Sequence, residues 1–248
     1  MKKTRAVFAT GCGRSGTTAL RTALSSHPNL ASTGTENNIV GDLLQTCDLN
    51  ATVESRRVSM QLSEESHDSL FAQLIQDLIF PNSFENDDSL RPMFATWITP
   101  ESAQRALKLF PKSQVVLIVR DGIATVESRL AHHSFGKLSF ESQCQKWASW
   151  ALLYEWARDR DDCMIVRHED LVAEAEATIN SVIAFLDLPS SAEPARILNQ
   201  NRFHPTPKDS RPVWQNWSGR DREIFVEICG RAMDSLGYRV PWVKASLS

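Results

Sequence analysis

A segment rich in glycine and hydroxyl side chains, residues 10–18, is the part of the sequence best suited to chemistry. It contains three glycines and four serine or threonine residues. An apolar run at residues 7–9 precedes it, and Leu20 and Leu24 follow at helical spacing. A strand, a glycine-rich loop and a helix in this order form a phosphate cradle, because main-chain N–H groups point at the bound anion. The alternative is an ordinary glycine-rich turn.

The identity of the anion depends on one position in this loop. Gly11, Gly16 and Thr18 match the nucleotide-binding pattern G-x-x-x-x-G-K-[ST], but Thr17 stands where that pattern has its lysine. Arg14 supplies a positive charge inside the loop instead. Its planar fork suits phosphate or sulfate oxygens and stays charged at physiological pH. The loop is therefore predicted to bind an anion other than a magnesium–triphosphate.

A second anion-binding pair follows the clearest strand of the chain, residues 114–119. This continuous apolar run is typical of a central parallel strand that is covered on both faces. It places Arg120 at its carboxyl end, and Ser128 follows two turns into the next predicted helix. An arginine fork and a serine hydroxyl can hold one phosphate between them. The alternative for Arg120 is a salt bridge to Asp121 or Glu127.

Glu36 is the candidate general base. It follows a short predicted strand, residues 30–33, in an acidic, turn-rich segment. Ligands of open α/β sheets gather outside the carboxyl ends of the strands, so Glu36 is expected to face the same crevice as the loop. The alternative is a carboxylate that caps the helix expected to start near Ile39. His132 and His133 are the next candidates for the base.

The composition and charge of the chain are those of an ordinary globular protein. The 248 residues are 42% hydrophobic and 23% charged, and no linker divides them, so residues 1–248 are predicted to form one domain. The net charge of −3 argues against a broad nucleic-acid interface. The five scattered cysteines indicate neither a disulfide framework nor a zinc site. Without a signal peptide or an apolar run of membrane-spanning length, a cytoplasmic location is expected.

Two further segments carry weaker predictions. Residues 41–90 have an irregular helical pattern with Leu70, Leu74 and Leu78 on one stripe, and His67 is predicted to be solvent-exposed there. This segment is where an acceptor-specific lid would lie. Trp147, Trp150 and Tyr154 recur at helical spacing further along, which is typical of a core-facing stripe.

Three motifs together resemble the sulfotransferases that use 3′-phosphoadenylyl sulfate. The loop of residues 13–18, with His27 and Pro28 after its helix, looks like the 5′-phosphosulfate loop of that family. Residues 110–122 with Ser128 look like the family's 3′-phosphate motif, and the Arg-Asp-Gly form is most similar to tyrosylprotein sulfotransferases. Residues 166–172 resemble a Tyr-Glu-Asp-Leu strand and helix. The motifs occur in the family's order along nearly the whole chain.

The resemblance implies a single three-layer α/β/α domain with a central parallel sheet, like that of P-loop NTPases. It also implies 3′-phosphoadenylyl sulfate as donor, 3′,5′-adenosine bisphosphate as the leaving product, and no metal. Glu36 would match the acidic base of the tyrosylprotein branch, and Arg14 would assist catalysis at the leaving phosphate. The residues that would bind the donor are Gly13, Arg14, Ser15, Gly16, Thr17 and Thr18 at the phosphosulfate, and Arg120 and Ser128 at the 3′-phosphate.

Two positions depart from the family's pattern. The family often carries Lys-Thr-Pro before its central helix, and here Ile98 replaces that lysine. Either Arg14 alone then covers the bridging oxygen, or another cation such as Arg91 or Lys208 takes the place, or activity is weak. His168 stands where tyrosine is usual on the adenine side, and it can still stack or hydrogen-bond.

A loop without periodicity, residues 202–217, is expected to fold over a bound nucleotide. Its Lys208 and Arg211 are predicted to complete the 3′-phosphate pocket, with solvated surface charges as the alternative. The sequence thus predicts a sulfotransferase that acts on a hydroxyl or amine of a small-molecule or peptide acceptor. A kinase or nucleotide-binding enzyme on the same architecture is the main rival, and a non-catalytic nucleotide-binding module is the third hypothesis.

Overall fold

A computed structural model of the protein describes residues 5–80, 89–200 and 213–243. Five strands form its central sheet: β1 (Val7–Gly11), β2 (Leu30–Ala31), β3 (Arg91–Ala95), β4 (Gln114–Val119) and β5 (Cys163–Arg167). Their order is β2-β3-β1-β4-β5, and every pairing is parallel. All five carboxyl ends therefore lie at the same edge of the sheet.

Strand β4 carries the apolar residues that the sequence pattern predicted to be buried. All six residues of β4 are buried, and this strand pairs with β1 on one side and with β5 on the other. Val115 and Leu117 face one hydrophobic cluster, whereas Val116 and Ile118 face the other. The five residues after Gln114 alternate between the two cores, so each of them must be apolar, which explains the continuous run.

Helices cover both faces of the sheet. They are α1 (Thr17–Ser25), α2 (Asn38–Thr52), α3 (Glu54–Met60), α4 (Glu64–Ile79), α5 (Pro100–Leu109), α6 (Gly122–Leu130), α7 (Phe140–Ala157), α8 (His168–Ala173), α9 (Ala175–Phe185), α10 (Glu193–Gln200) and α11 (Gly219–Ser235). A 3₁₀ turn, Val213–Asn216, precedes α11.

The two hydrophobic clusters divide these helices into two layers. The larger cluster joins α2, α4, α5, α6, α7 and α11 to one face of the sheet, and it includes Trp147 and Tyr154 as the aromatic stripe predicted. The smaller cluster joins α1, α8, α9 and α10 to the opposite face through residues such as Leu20, Leu24 and Ile179. The predicted three-layer α/β/α architecture is confirmed. That the whole chain forms one domain stays a prediction.

The prediction that His67 is solvent-exposed is wrong. Its side chain is 6% exposed, and its ring lies 4.8 Å from the Phe71 ring. Its sequence neighbours are polar, but α4 turns the face that carries His67 and Phe71 toward the core. The predicted stripe of Leu70, Leu74 and Leu78 is also in α4, and each of its side chains is exposed.

All five cysteines belong to the part of the chain that the structure describes, and each is a buried free thiol. The spacing of the cysteines in the sequence likewise indicates no disulfide framework. Within the described ranges, no helix has both the length and the hydropathy needed to cross a membrane.

Candidate active site

The glycine-rich loop lies between β1 and α1, at the carboxyl edge of the sheet. Gly16 precedes the first helical residue, Thr17, and has a left-handed backbone with φ of +97°. Arg14 is also left-handed, with φ of +78°, and Ser15 N–H donates to the Cys12 carbonyl at 3.0 Å. The first N–H groups of α1 have no partners within the helix and point into the loop. This geometry is that of an anion-binding helix start.

Two glycines of the loop are required because neighbouring atoms approach the backbone closely. A Cβ on Gly11 would lie 2.5 Å from the Ile118 carbonyl oxygen, and one on Gly16 would lie 2.7 Å from Cδ2 of His168. Below this surface, the Ser15 hydroxyl is fully buried beside the Cys12 thiol. It makes no hydrogen bond with any other described residue. A buried hydroxyl without a strong partner fits a ligand oxygen in the loop.

The structure brings the second predicted anion-binding pair directly against this loop. Arg14 donates from Nε to the Ser128 hydroxyl at 3.1 Å, and Arg120 donates from Nη1 to the Arg14 carbonyl at 3.1 Å. Burial is the main cause that lowers the pKa of Arg120 below its usual value. Arg120 forms no ion pair within 4.0 Å with a carboxylate of the described residues, so the predicted alternative of a salt bridge to Asp121 or Glu127 is wrong.

Arg129 is a site residue that the sequence analysis missed. Its side chain is buried, and it donates from Nη1 to the Gly13 carbonyl at 3.3 Å and from Nε to Gln143 at 2.7 Å. Its guanidinium carbon lies 4.4 Å from the centre of the Phe135 ring. No pattern in the sequence separates it from the helix surface. It supports the loop from beneath, in the same helix that carries Ser128.

His168 and Glu169 close the site on the side of β5. The His168 ring packs against Gly16, and burial together with the charge of Arg120 lowers the pKa of His168 from 6.5 to about 4. The imidazole is therefore neutral near pH 7. Glu169 accepts from the Asp121 main-chain N–H at 3.0 Å and from the Tyr238 hydroxyl at 2.9 Å. These bonds join the ends of β4 and β5 to the segment after α11.

Glu36 lies across a cavity of about 120 Å³ beside the loop. Loop residues line one side of this cavity, and Trp97 and Trp150 line it as well. Half of the Glu36 side chain is exposed, and its Oε1 lies 3.7 Å from Arg21 Nη1. The helix α2 begins at Asn38 with Asn37 as its N-cap. Glu36 is therefore not the cap, and it faces the loop as predicted.

Comparison with known proteins decides the family. The model of the Sulfotransferase family matches residues 6–192, which is three quarters of the chain. The chain belongs to the sulfotransferase family. It is 29% identical over 195 residues to a protein-tyrosine sulfotransferase of Drosophila melanogaster, and 27% identical over 199 residues to protein-tyrosine sulfotransferase 1 of Danio rerio. Each match covers 74% of this chain, but only 38% and 53% of those relatives.

Solved structures support the fold of this chain. The sulfotransferase domain from the curacin biosynthetic pathway superposes with a TM-score of 0.60 at 18% identity, covering 96% of this chain and 99% of that one. Mouse sulfotransferase SULT7A1, complexed with PAP, gives a TM-score of 0.56 at 15% identity, covering 95% and 89%. The chain spans about half the length of the curated relatives that it matches.

The position of the missing family lysine carries no charge in this chain. Ile98 is buried in the larger hydrophobic cluster, and Thr99 caps α5 in a reciprocal pair with Ser102. Arg91 cannot replace the lysine, because it begins β3 at the opposite edge of the sheet and donates there to Leu186 and Gln114. Lys208 and Arg211 lie outside the described residues. The predicted roles of these two cations stay predictions.

Potential metal ligands in the described residues cluster away from the loop. Cys47, His67 and Asp68 hold ligand atoms within 4.8 Å of one another, between α2 and α4. Arg105 and Lys108 already contact the Asp68 carboxylate at 3.3 Å each. Two cations on this carboxylate oppose a metal ion there. None of the three residues belongs to the loop or lines the cavity with Glu36.

Proposed function

We propose that this protein transfers a sulfuryl group from 3′-phosphoadenylyl sulfate to a hydroxyl or amine acceptor, by in-line displacement. One observation carries the proposal. A loop without the nucleotide-binding lysine is joined through Arg14 to Arg120 and Ser128. The site therefore has two adjoining anion-binding parts, which suits a donor with phosphates at both the 5′ and the 3′ position of its ribose.

The residues of the site fit the two ends of this donor. The N–H groups of the first turn of α1, with the side chains of Arg14, Ser15 and Thr17, would hold the 5′ phosphosulfate. Arg120 and Ser128 would hold the 3′-phosphate. Neutral His168, packed on the loop at Gly16, would lie beside the adenine. The cradle has no space for a side chain at Gly11 or at Gly16, so a bound anion can lie close to the main chain there.

The chemistry requires a base for the acceptor and stabilisation of the leaving phosphate. Glu36 would accept the acceptor proton as the acceptor oxygen or nitrogen attacks sulfur from the cavity side. The loop N–H groups and Arg14 would stabilise the charge that builds on the leaving phosphate. The donor supplies the activated sulfuryl group, and no metal is required in this scheme.

The acceptor is proposed from the names of the relatives and from the lining of the cavity. The relatives are named protein-tyrosine sulfotransferases. Trp97 and Trp150 line the cavity that contains Glu36, and aromatic walls suit a flat side chain. A tyrosine hydroxyl in a peptide is therefore the first acceptor to test, with small-molecule phenols, alcohols, sugars and amines after it.

A donor-binding experiment separates this function from its main rival. Thermal unfolding is followed with 3′,5′-adenosine bisphosphate in the presence of a chelator, and in parallel with magnesium–ATP. Stabilisation by the bisphosphate without metal supports the proposal, whereas stabilisation only by magnesium–ATP would contradict it and favour a kinase. Labelled donor is then incubated with the acceptor panel, beginning with a tyrosine peptide. A protein that binds the bisphosphate but transfers nothing would be a binding module.

A further inference from the structure

Arg21 is a further cation of the site. It belongs neither to the loop pattern nor to the position of Ile98, where the family often has lysine. It lies one turn after Thr17 on α1, so both side chains project from the same face of that helix. Arg21 and Thr17 line the cavity together with Glu36. Among the described residues that line this cavity, Arg21 is the one cation and Glu36 is the one anion.

The surroundings of Arg21 direct its charge toward Glu36. The side chain is 15% exposed, and Nη1 lies 3.7 Å from Glu36 Oε1. Nε is buried and makes no hydrogen bond with a described residue. A guanidinium withdrawn from water in this way requires a nearby negative charge to offset its lost hydration. Glu36 is the carboxylate that supplies this charge.

The remaining groups around Glu36 are uncharged. The polar residues that line the cavity with it are Thr10, Thr17, Asn38 and Thr96, and its other walls are apolar or main chain. Ile98, where the family often has lysine, is buried in the hydrophobic cluster. The electrostatic environment of Glu36 within the cavity is therefore set by a single charged neighbour.

We propose that Arg21 is a positioning residue for Glu36: it holds the carboxylate at the mouth of the cavity, where the carboxylate accepts the acceptor proton. This inference rests on the proposed function. In the reaction, the acceptor hydroxyl loses its proton to Glu36 while its oxygen forms the new bond to sulfur. The bond from sulfur to the phosphate oxygen breaks, and its electron pair leaves with the phosphate. Arg21 acts through Glu36 and touches neither reacting bond.

The test separates kcat from donor binding, because loss of a merely structural residue would weaken both. Arg21→Gln, Arg21→Lys and the wild-type protein are compared at saturating labelled donor with a tyrosine peptide. A carboxylate that is no longer held beside the acceptor should accept its proton less efficiently, so Arg21→Gln should lower kcat by about 10-fold. Arg21→Lys should restore most of kcat, since it retains the charge.

Two controls isolate the effect. Arg56→Gln removes an exposed arginine on α3, away from the cavity, and should leave kcat unchanged. Affinity for 3′,5′-adenosine bisphosphate should stay within about twofold in Arg21→Gln, which shows that the protein is folded and binds the donor product. In a Glu36→Gln background, adding Arg21→Gln should change turnover by less than about twofold, because the residue through which Arg21 acts is already lost.

The outcomes distinguish this inference from the proposed function. Normal kcat in Arg21→Gln, an equal loss of bisphosphate affinity in that variant, or a full additional fall in the Glu36→Gln background would overturn the positioning role while leaving sulfuryl transfer intact. Normal turnover in Glu36→Gln alone would overturn the role of Glu36 as base, and that of Arg21 with it. No sulfuryl transfer by the wild-type protein to any acceptor of the panel would contradict the proposed function itself.

Discussion

Arg120 donates a hydrogen bond from its guanidinium to the main-chain carbonyl of Arg14, over 3.1 Å. The residue at the end of β4 thus fixes the backbone of the loop that follows β1. Arg14 in turn donates to Ser128 on α6. The two anion-binding parts are therefore one hydrogen-bonded unit, and a change in either part is expected to affect both ends of a bound donor.

Arg120→Ala should weaken binding of 3′,5′-adenosine bisphosphate by about 10- to 100-fold. It removes a charged donor to phosphate together with the bond that supports the Arg14 backbone. Isothermal titration calorimetry measures the effect. Arg220→Ala, which removes an exposed partner of Glu223, is the control and should bind normally. Unchanged affinity in Arg120→Ala would refute the assignment of Arg120 to the donor.

Glu36→Gln should lower turnover by roughly two to four orders of magnitude, because the amide cannot accept the acceptor proton. Bisphosphate binding should be unaffected, since Glu36 lies across the cavity from the loop. Steady-state kinetics at saturating donor give the comparison. A variant with near-normal turnover would transfer the role to another group, and His132 and His133 would be tested next.

Gly16→Ala should destabilise the protein by about 1–3 kcal/mol and abolish donor binding. Alanine is strained at φ of +97°, and its Cβ would lie 2.7 Å from His168 and 3.0 Å from Ile118. Urea unfolding measures the loss. Gly230→Ala is the matched control, because the new Cβ meets only Val226 at 3.7 Å in the middle of α11. That variant should gain about 0.5–1 kcal/mol. Equal effects at both positions would contradict the close approach at Gly16.

His168 should make the free energy of unfolding fall on acidification. The pKa of His168 is about 4 in the folded protein, against a model-peptide value of 6.5, because burial and Arg120 disfavour the imidazolium. Between those pH values the unfolded chain binds a proton that the folded protein does not, so stability decreases as pH falls. The wild-type protein should lose roughly 1–3 kcal/mol across this window relative to His168→Gln.

Urea titrations at several pH values test this difference between the two proteins. The comparison with a variant is needed because raised carboxyl pKa values, such as that of Glu127 at about 7, act in the opposite direction. Parallel curves for the wild-type protein and His168→Gln would show that His168 is not a buried neutral imidazole.

The sequence alone determined the sheet and the loop, because local patterns record them. A continuous apolar run predicted a strand between two cores, and β4 occupies the same residues, 114–119. The glycines, the arginine and the absent lysine of the loop predicted an anion cradle. The order of the three motifs along the chain also indicated the family, because such an order depends on several local signals and on no tertiary contact.

Only the tertiary structure decided which side chains meet. The neighbours of His67 in sequence are polar, yet its helix turns it into the core beside Phe71. No sequence pattern distinguishes Arg129 or Arg21 from other charged residues on helices, yet Arg129 donates to the Gly13 carbonyl and Arg21 lies against Glu36. The physical reason is that helical periodicity fixes the face on which a residue lies, whereas the partner of that face depends on strand order and packing across the sheet.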